Sequence, residues 1–558
     1  MKRFLYILSL TILFCANAKA QFFSTSNFNS DAPKREVRAV WMTTIGGLDW
    51  PKTYAHTPRT IERQKQELRT LLDRLQKANF NTVLLQTRIR GTVIYPSAYE
   101  PWDGCVSGNP GVSPGYDPLA FAIEECHKRG MECHAWVVSV PVGRPNGTGP
   151  KNLKRCHPEL LMKIGDEMFM RPDKSGTASY IAGICREIAH NYDIDGIHLD
   201  YIRYPETMKL TISRQEAREN ISRIVKAVHD AVKAEKPWVK MSCSPIGKRN
   251  DLNRYWSRGW NAEEKGCQDV ERWMKEGWMD QIYPMMYFRK DNFFPFAADW
   301  LERSHGKTVS AGLGIYFLSP KEANWQISDI QQEMNVCRQM GLGTAMFRNR
   351  FLMDNVKGLY DFTAEEHNLY PALVPEMKWY VHDAPDAPHG LRVERNNDGT
   401  RISWNKSANA NIYYNVYASM EAPVDISDAR NLIVMRTNRN CLCIPNTMLT
   451  RHFAVTAIDR YGKESRATQS DHGRDDETDN TGNGMLRNSG NIVVMPALPS
   501  TMDAELLIFE SVTGTCITTK RLNATLNVKD IPDGMYILRT LNKKGKSHRL
   551  AWLLIKRM

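Results

Sequence analysis

From Val37 to about Tyr360, short β-rich runs alternate with helical segments in eight successive pairs, and this alternation constrains the chain more than any other feature. The runs are Val37 to Thr43, Thr82 to Gln86, Glu132 to Val138, Gly196 to Leu199, Lys240 to Ser244, Gln281 to Met285, Thr308 to Gly312 and Gly343 to Phe347. Ser213-Arg214-Gln215-Glu216 reads as a capping box, followed by Ala217, Ile221, Ile224, Val225, Val228 and Val232 on one stripe. Ser328-Asp329-Ile330-Gln331 repeats that start signal. Strands separated by helices pair in parallel, so eight units over residues 36–370 predict an α/β fold, a (β/α)8 barrel rather than an open doubly wound sheet. Neither GxGxxG nor GxxxxGK(S/T) follows the first run, which argues against a nucleotide site.

After Pro371 the pattern changes, with Pro375, Pro385 and Pro388 marking a linker. Residues 385–468 lose helical period. Leu391 to Val393, Arg401 to Trp404, Tyr414 to Tyr417 and His452 to Ala457 alternate in and out between turn residues, an all-β sandwich pattern. With Trp404, Tyr414-Asn415-Val416-Tyr417 and Phe453 to Asp459 followed by Gly462-Lys463-Glu464-Ser465, this segment resembles a fibronectin type III module. Residues 469–489 are polar, acidic and Gly-rich, the composition of a flexible linker where limited proteolysis is expected to cut. Residues 490–558 predict a second small β-sandwich, with strands at Ile492 to Met495, Ala504 to Phe509, Thr525 to Val528, Met535 to Leu541 and Ala551 to Ile555. Its Asp533-Gly534-Met535-Tyr536-Ile537-Leu538 resembles the GxYxL strand of C-terminal sorting domains, which implies surface secretion machinery as a partner; a plain β accessory unit is the alternative.

At the other end, Lys2 and Arg3 precede an apolar run from Phe4 to Phe14 and then Ala18-Lys19-Ala20, the anatomy of a signal peptide over residues 1–20. Export to the periplasm, the outer-membrane surface or the medium is the expected localisation. Losing Lys2, Arg3 and Lys19 with that segment lowers the formal net charge from +12 to +9, a balance that favours anionic polymers. No run of five Lys or Arg occurs, so nucleic acid is not the expected partner. Eleven cysteines remain after Cys15 is removed and cannot all pair; Cys126, Cys133, Cys185, Cys243 and Cys337 read as buried thiols. With no CxxC, and with His127 and His134 read as structural, neither a metal nor another cofactor is expected.

In a (β/α)8 barrel, chemistry sits where the strands end. Asp200 leaves the fourth strand within Asp193 to Pro205, beside Tyr201, Arg203 and Tyr204. Arg203 is expected to keep that carboxylate ionised, suiting a nucleophile or a stabiliser of an oxocarbenium-like centre. The alternative is a structural Asp200–Arg203 ion pair. Glu100, in Tyr95 to Asp103, is the candidate acid, with Glu206 and Asp251 as rivals. Arg88, His134, Trp136, Tyr287 and Arg348 lie in or after other strands and join Arg203 and Tyr204 as candidate sugar contacts. Asp280 begins the sixth strand and belongs to the opposite, stabilising face.

Residues 36 to about 365 resemble the glycosyl-hydrolase-like family ten barrels. The motifs are Arg35 to Trp41, Tyr95-Pro96-Ser97, Glu100-Pro101-Trp102, Gly115 to Leu119, His134-Ala135-Trp136 and Asp193 to Pro205. The resemblance implies a glycan-cleaving barrel, with some members acting on peptidoglycan strands stripped of peptides. Val137-Val138-Ser139-Val140 departs from the Asn-Pro-Tyr-Arg-like loop often found there. Asp195 to Asp200 followed by Tyr204-Pro205 also resembles the strand-four motif of family 18 chitinases, but Ile202 replaces their acid Glu. Three readings compete: an exported two-carboxylate glycoside hydrolase of bacterial envelope glycan or a related polysaccharide, a glycan-binding barrel with little or no chemistry, and an adhesion scaffold. The last is disfavoured by there being only one fibronectin-like module. Deleting residues 385–558 is expected to spare activity on short soluble oligosaccharides. Oligomeric state is left open.

Overall fold

The computed structural model describes residues 32–470 apart from 258, 397–398, 408, 410 and 445–451, and then 485–487, 492–494, 506–511, 516–521, 525–532, 534–541 and 547–555. The expected signal segment and most of the expected linker lie outside the described residues.

Eight parallel strands close on themselves: β1 (Arg38–Met42), β2 (Thr82–Ile89), β3 (Glu132–Val138), β4 (Gly196–Asp200), β5 (Lys240–Cys243), β6 (Gln281–Ile282), β7 (Thr308–Leu313) and β8 (Gly343–Met346). Each pairs with the next, and β8 pairs with β1. The sixth run is not continuous as expected. Pro284 has no N–H for a ladder, so the strand stops at Ile282 and resumes at Met285–Met286.

Helices α1 (Pro58–Lys77), α2 (Pro118–Lys128), α3 (Ser175–Asn191), α4 (Arg214–Glu235), α5 (Val270–Lys275), α6 (Phe294–Glu302), α7 (Ile327–Gln339) and α8 (Asn349–Met353) follow the strands in turn. Ser213 caps α4 by accepting the Glu216 amide at 3.1 Å, and all six stripe residues are buried. In α7 the capping pair is Gln326 with Asp329, so the helix starts before the Ser328 signal.

Inside the barrel the core is aromatic and polar. Trp41 Nε1 donates to His198 Nε2 at 3.2 Å, and the other His198 nitrogen meets Ser242 Oγ at 3.0 Å. Gly196 faces His134 across the β3–β4 ladder, where a Cβ would stand 2.5 Å from the imidazole Nδ1; only glycine fits. Cys126, Cys133, Cys185, Cys243 and Cys337 are buried thiols.

Two antiparallel sheets follow, a three-stranded one (His389–Asn396, Gly399–Asn405, Cys441–Ile444) and a four-stranded one (Leu432–Thr437, Tyr413–Ser419, His452–Ile458, Thr468–Gln469). Ile402 and Trp404 from the first share a core with Tyr414, Val416, Phe453 and Val455 from the second. This unit is docked on the barrel floor, where the strands begin. Arg436 binds Glu132 and reaches Asp195 at 2.7 Å, while Arg460 meets Asp193 at 2.6 Å and Asp195 at 3.3 Å. Lys240 adds a 2.6 Å contact to Glu132. Burial opposes ionisation of Glu132 and Asp195, yet these cations and His127 hold both carboxyls far below the usual range. On the same floor Asp280 accepts from Lys233 at 2.7 Å and Trp379 at 2.8 Å.

The last unit has a five-stranded and a two-stranded sheet around Leu507, Phe509, Leu526, Tyr536, Leu538 and Leu553. Cys516–Arg521 is a strand the sequence pattern did not announce. Met485–Arg487 pairs in parallel with Ser547–Ile555, so part of the 469–489 stretch belongs to this sheet.

Candidate active site

Alternation along β3 and β4 decides what reaches the mouth of the barrel. Glu132, His134, Trp136 and Val138 share a face, and Val138 pairs with Asp200 at the top of the ladder. Asp200 is buried and held by three donors: Trp136 Nε1 at 3.1 Å, Ser244 Oγ at 2.7 Å and the Tyr201 amide at 2.7 Å. Tyr201 turns that amide inward by taking a left-handed φ of 49°. Burial raises the Asp200 carboxyl above its ordinary value, against the opposing pull of Arg203 and these hydrogen bonds.

Arg203 is not the partner the sequence suggested. Its Nε and Nη2 both donate to one oxygen of Glu206, at 2.9 and 2.5 Å, and its guanidinium lies 4.1 Å from the Tyr201 ring centre. A carboxylate three residues away in a turn captures the guanidinium, so no Asp200–Arg203 salt bridge forms, although the Arg203 charge still pulls the Asp200 carboxyl down against burial. Arg203 Nη1 is buried without a hydrogen-bond partner among the described residues.

Glu100 does not reach the mouth. It makes a bidentate ion pair with Arg88, at 2.8 and 2.6 Å, with both side chains sealed from solvent. Arg88 also donates to the Val138 and Ser139 carbonyls, so the pair fastens β2 to β3 and neither residue is open to substrate. Glu100→Gln is expected to strand a buried guanidinium and cost about 3 kcal/mol or more. A denaturant melt matching wild type would contradict that.

The other expected sugar contacts separate. His134 is fully buried one layer below Trp136 and binds Glu132 at 3.0 Å. Trp136 orients Asp200 from a buried position. Tyr204 turns into the core and accepts from Asn220 at 3.0 Å. Arg348 is tied to Asp49 at 2.8 Å. Asp251 is exposed and takes a 3.2 Å bond from Ser257. Tyr287 alone of this set lines an open groove, of about 520 Å³, with Phe288, Arg289, Lys290 and Trp325 among its walls. Its ring stacks on Phe347 at 5.5 Å, and its hydroxyl is raised well above the usual tyrosine range by burial and then by the charge of Asp200.

Sequence reasoning missed Ser244 and the groove. Ser244 directly follows β5, so the rule that selected Asp200 also pointed to it. Trp325 lies far beyond its strand and carried no such signal.

The sequence profile of the family described as Glycosyl hydrolase-like 10 matches residues 36–319. A Bacillus subtilis (strain 168) protein named glycosyl hydrolase YngK is 28% identical over 487 residues, covering 80% of this chain and 94% of that one. Glycosyl hydrolase DigH of Escherichia coli (strain K12) is 27% identical over 407 residues, covering 62% of this chain and 92% of its own. Among solved structures, the PgaB (BpsB) glycoside hydrolase domain of Bordetella bronchiseptica aligns with a TM-score of 0.42 at 13% identity, covering 59% of this chain and 98% of that one. The match to the family profile spans just over half the sequence and takes in the strand-four run that places Asp200, and the chain therefore belongs to glycosyl hydrolase-like family 10.

Proposed function

We propose that this protein hydrolyses glycosidic bonds in an envelope polysaccharide outside the cytoplasm, with peptide-free peptidoglycan strands as the first substrate to try. The observation that carries this reading is Asp200, a carboxyl at a strand exit, oriented by Trp136, Ser244 and the Tyr201 amide and pushed by burial toward the protonated form. In this mechanism Asp200 gives its proton to the glycosidic oxygen as the bond to the anomeric carbon breaks. Water adds to that carbon and surrenders a proton to Glu206, the carboxylate that Arg203 ties to the same cluster. This reverses the expected role, from an ionised stabiliser to an acid. The relatives' names support glycosidic-bond hydrolysis, and the signal-like N-terminus supports the compartment. We further read the three-plus-four-stranded unit as a fibronectin type III module and the final sheets as a sorting or accessory domain.

The enclosure of Glu100 favours the second reading, a glycan-binding barrel, because it removes one carboxylate from the mouth. Sizing the products after incubation with peptide-free peptidoglycan strands and with chitin separates the two. Shortened strands with wild type but not with Asp200→Asn support hydrolysis; intact strands throughout leave binding.

A further inference from the structure

Among the ten described cysteines, Cys156, Cys441 and Cys443 are the ones not buried. The last two lie two residues apart on the strand Cys441–Ile444, so the pleat points both thiols the same way. That way is outward. Leu442 and Ile444 pack against the core of Ile402 and Trp404, whereas Cys441 and Cys443 stand beside Ser403 and Arg401 on the other face. The strand is also an edge: it pairs with Gly399–Asn405 on one side and with no described strand on the other, which leaves backbone donors and acceptors for a newcomer. A neighbour can reach it. The four-stranded sheet turns its outer face, with Tyr413, Tyr417, Ala454 and Ile458, onto Leu373, which is hydrogen-bonded to Lys34 and Glu36 at the foot of the barrel. The three-stranded sheet is therefore the layer remote from the barrel, roughly 10 Å further out.

We infer that a second copy of the chain docks on this edge, antiparallel about a two-fold axis at Leu442, with Cys441 of each copy bonded to Cys443 of the other. The spacing makes the strand complementary to itself, because antiparallel pairing centred on Leu442 sets every 441 against a 443. Opposed Cα atoms in such a ladder stand roughly 4.5–5.5 Å apart, inside the roughly 4.4–6.8 Å that a disulfide spans. Within one chain the two Cα atoms are about 6.6 Å apart with their side chains parallel, so a bridge between them is the poorer option. A four-residue edge buries too little for a stable non-covalent dimer, which needs roughly 1,200 Å² or more, so the bridges hold the pair and reduction releases it. In forming each bridge, two thiols give up two protons and two electrons. A disulfide oxidant accepts them through a mixed disulfide on one cysteine and leaves as two thiols.

The test treats the mature full chain carrying Cys156→Ser with oxidised glutathione and follows its mass by light scattering after size-exclusion chromatography. A dimer that dithiothreitol returns to monomer is expected, with a non-reduced tryptic digest joining two copies of peptide 440–451. Two variants at the outward positions read the register. Cys441→Ser and Cys443→Ser are each expected to give roughly tenfold less dimer alone, since each leaves a thiol opposite a serine, and an equimolar mixture is expected to recover the dimer through one bridge. The digest of the Cys156→Ser chain decides whether the edge dimerises even if a further variant melts early. Failure to dimerise, a 441–443 bridge within one chain, or glutathione adducts as the sole product overturns the inference. Single variants that dimerise as well as their parent overturn it too, because they would show contact without the antiparallel register.

Discussion

Replacing Asp200 with asparagine is expected to lower turnover on a cleaved glycan by a hundredfold or more, about 3 kcal/mol of transition-state stabilisation. Asparagine keeps the shape of the side chain but has no acidic proton to deliver. The fold should persist. Because the native carboxyl lies above the ordinary 3.8, the folded state binds the proton more tightly than the unfolded chain. Wild-type stability therefore falls as pH rises from 3.8 through the native value, and Asp200→Asn abolishes that decline. At neutral pH this gain is set against the Trp136 indole N–H, which loses its acceptor where Nδ2 replaces Oδ2. Near-wild-type turnover would remove Asp200 from the mechanism, and loss of folding would return it to a structural role.

Arg436→Met should unfold the protein more readily, by about 3–5 kcal/mol, since it leaves Asp195 and Glu132 buried with part of their counter-charge gone. The sign with pH is the opposite of that for Asp200. Both carboxyls sit below their ordinary values, so their contribution is present above about pH 4 to 5 and disappears as pH falls through the native values. Urea melts from pH 7 downward should show a smaller acid-dependent loss in Arg436→Met than in wild type. By the same argument a chain ending at 384 lacks both Arg436 and Arg460 and should be recovered poorly or unfolded. That outcome replaces the sequence expectation that deleting 385–558 spares activity; a soluble, active truncation would refute the docking argument.

The barrel was legible because its signals are local. β3 occurs at the predicted residues, and most other strands end within a residue or two of prediction, since burial on both faces forces continuous apolar runs bounded by turns. The break in β6 was written in Pro284 but passed over. The position of Asp200 followed from strand period and barrel geometry. Partnerships were not legible: Glu100 looked like an acid among apolar neighbours, and nothing local showed that Arg88 lay opposite it across a hairpin. Arg203 was misassigned for a related reason, since closeness in sequence to Asp200 did not reveal that the turn swings it onto Glu206. The floor cluster lay further out of reach. Asp195 and Arg436 stand 241 residues apart, on units that sequence pattern treats separately.

The docked β unit also sets which way the molecule faces. Arg460 touches the floor just past the end of Ile458, whereas the chain leaves the unit at Ser470, whose amide bonds to the Phe453 carbonyl near the start of the same strand. The exit is one strand length, roughly 20 Å, from the floor contact. A tether attached through the C-terminal unit thus pulls from a point set apart from the floor, with the barrel between that floor and Asp200. Load applied through residue 470 would therefore reach the barrel through the Arg436 and Arg460 contacts on its floor, at the end opposite Asp200.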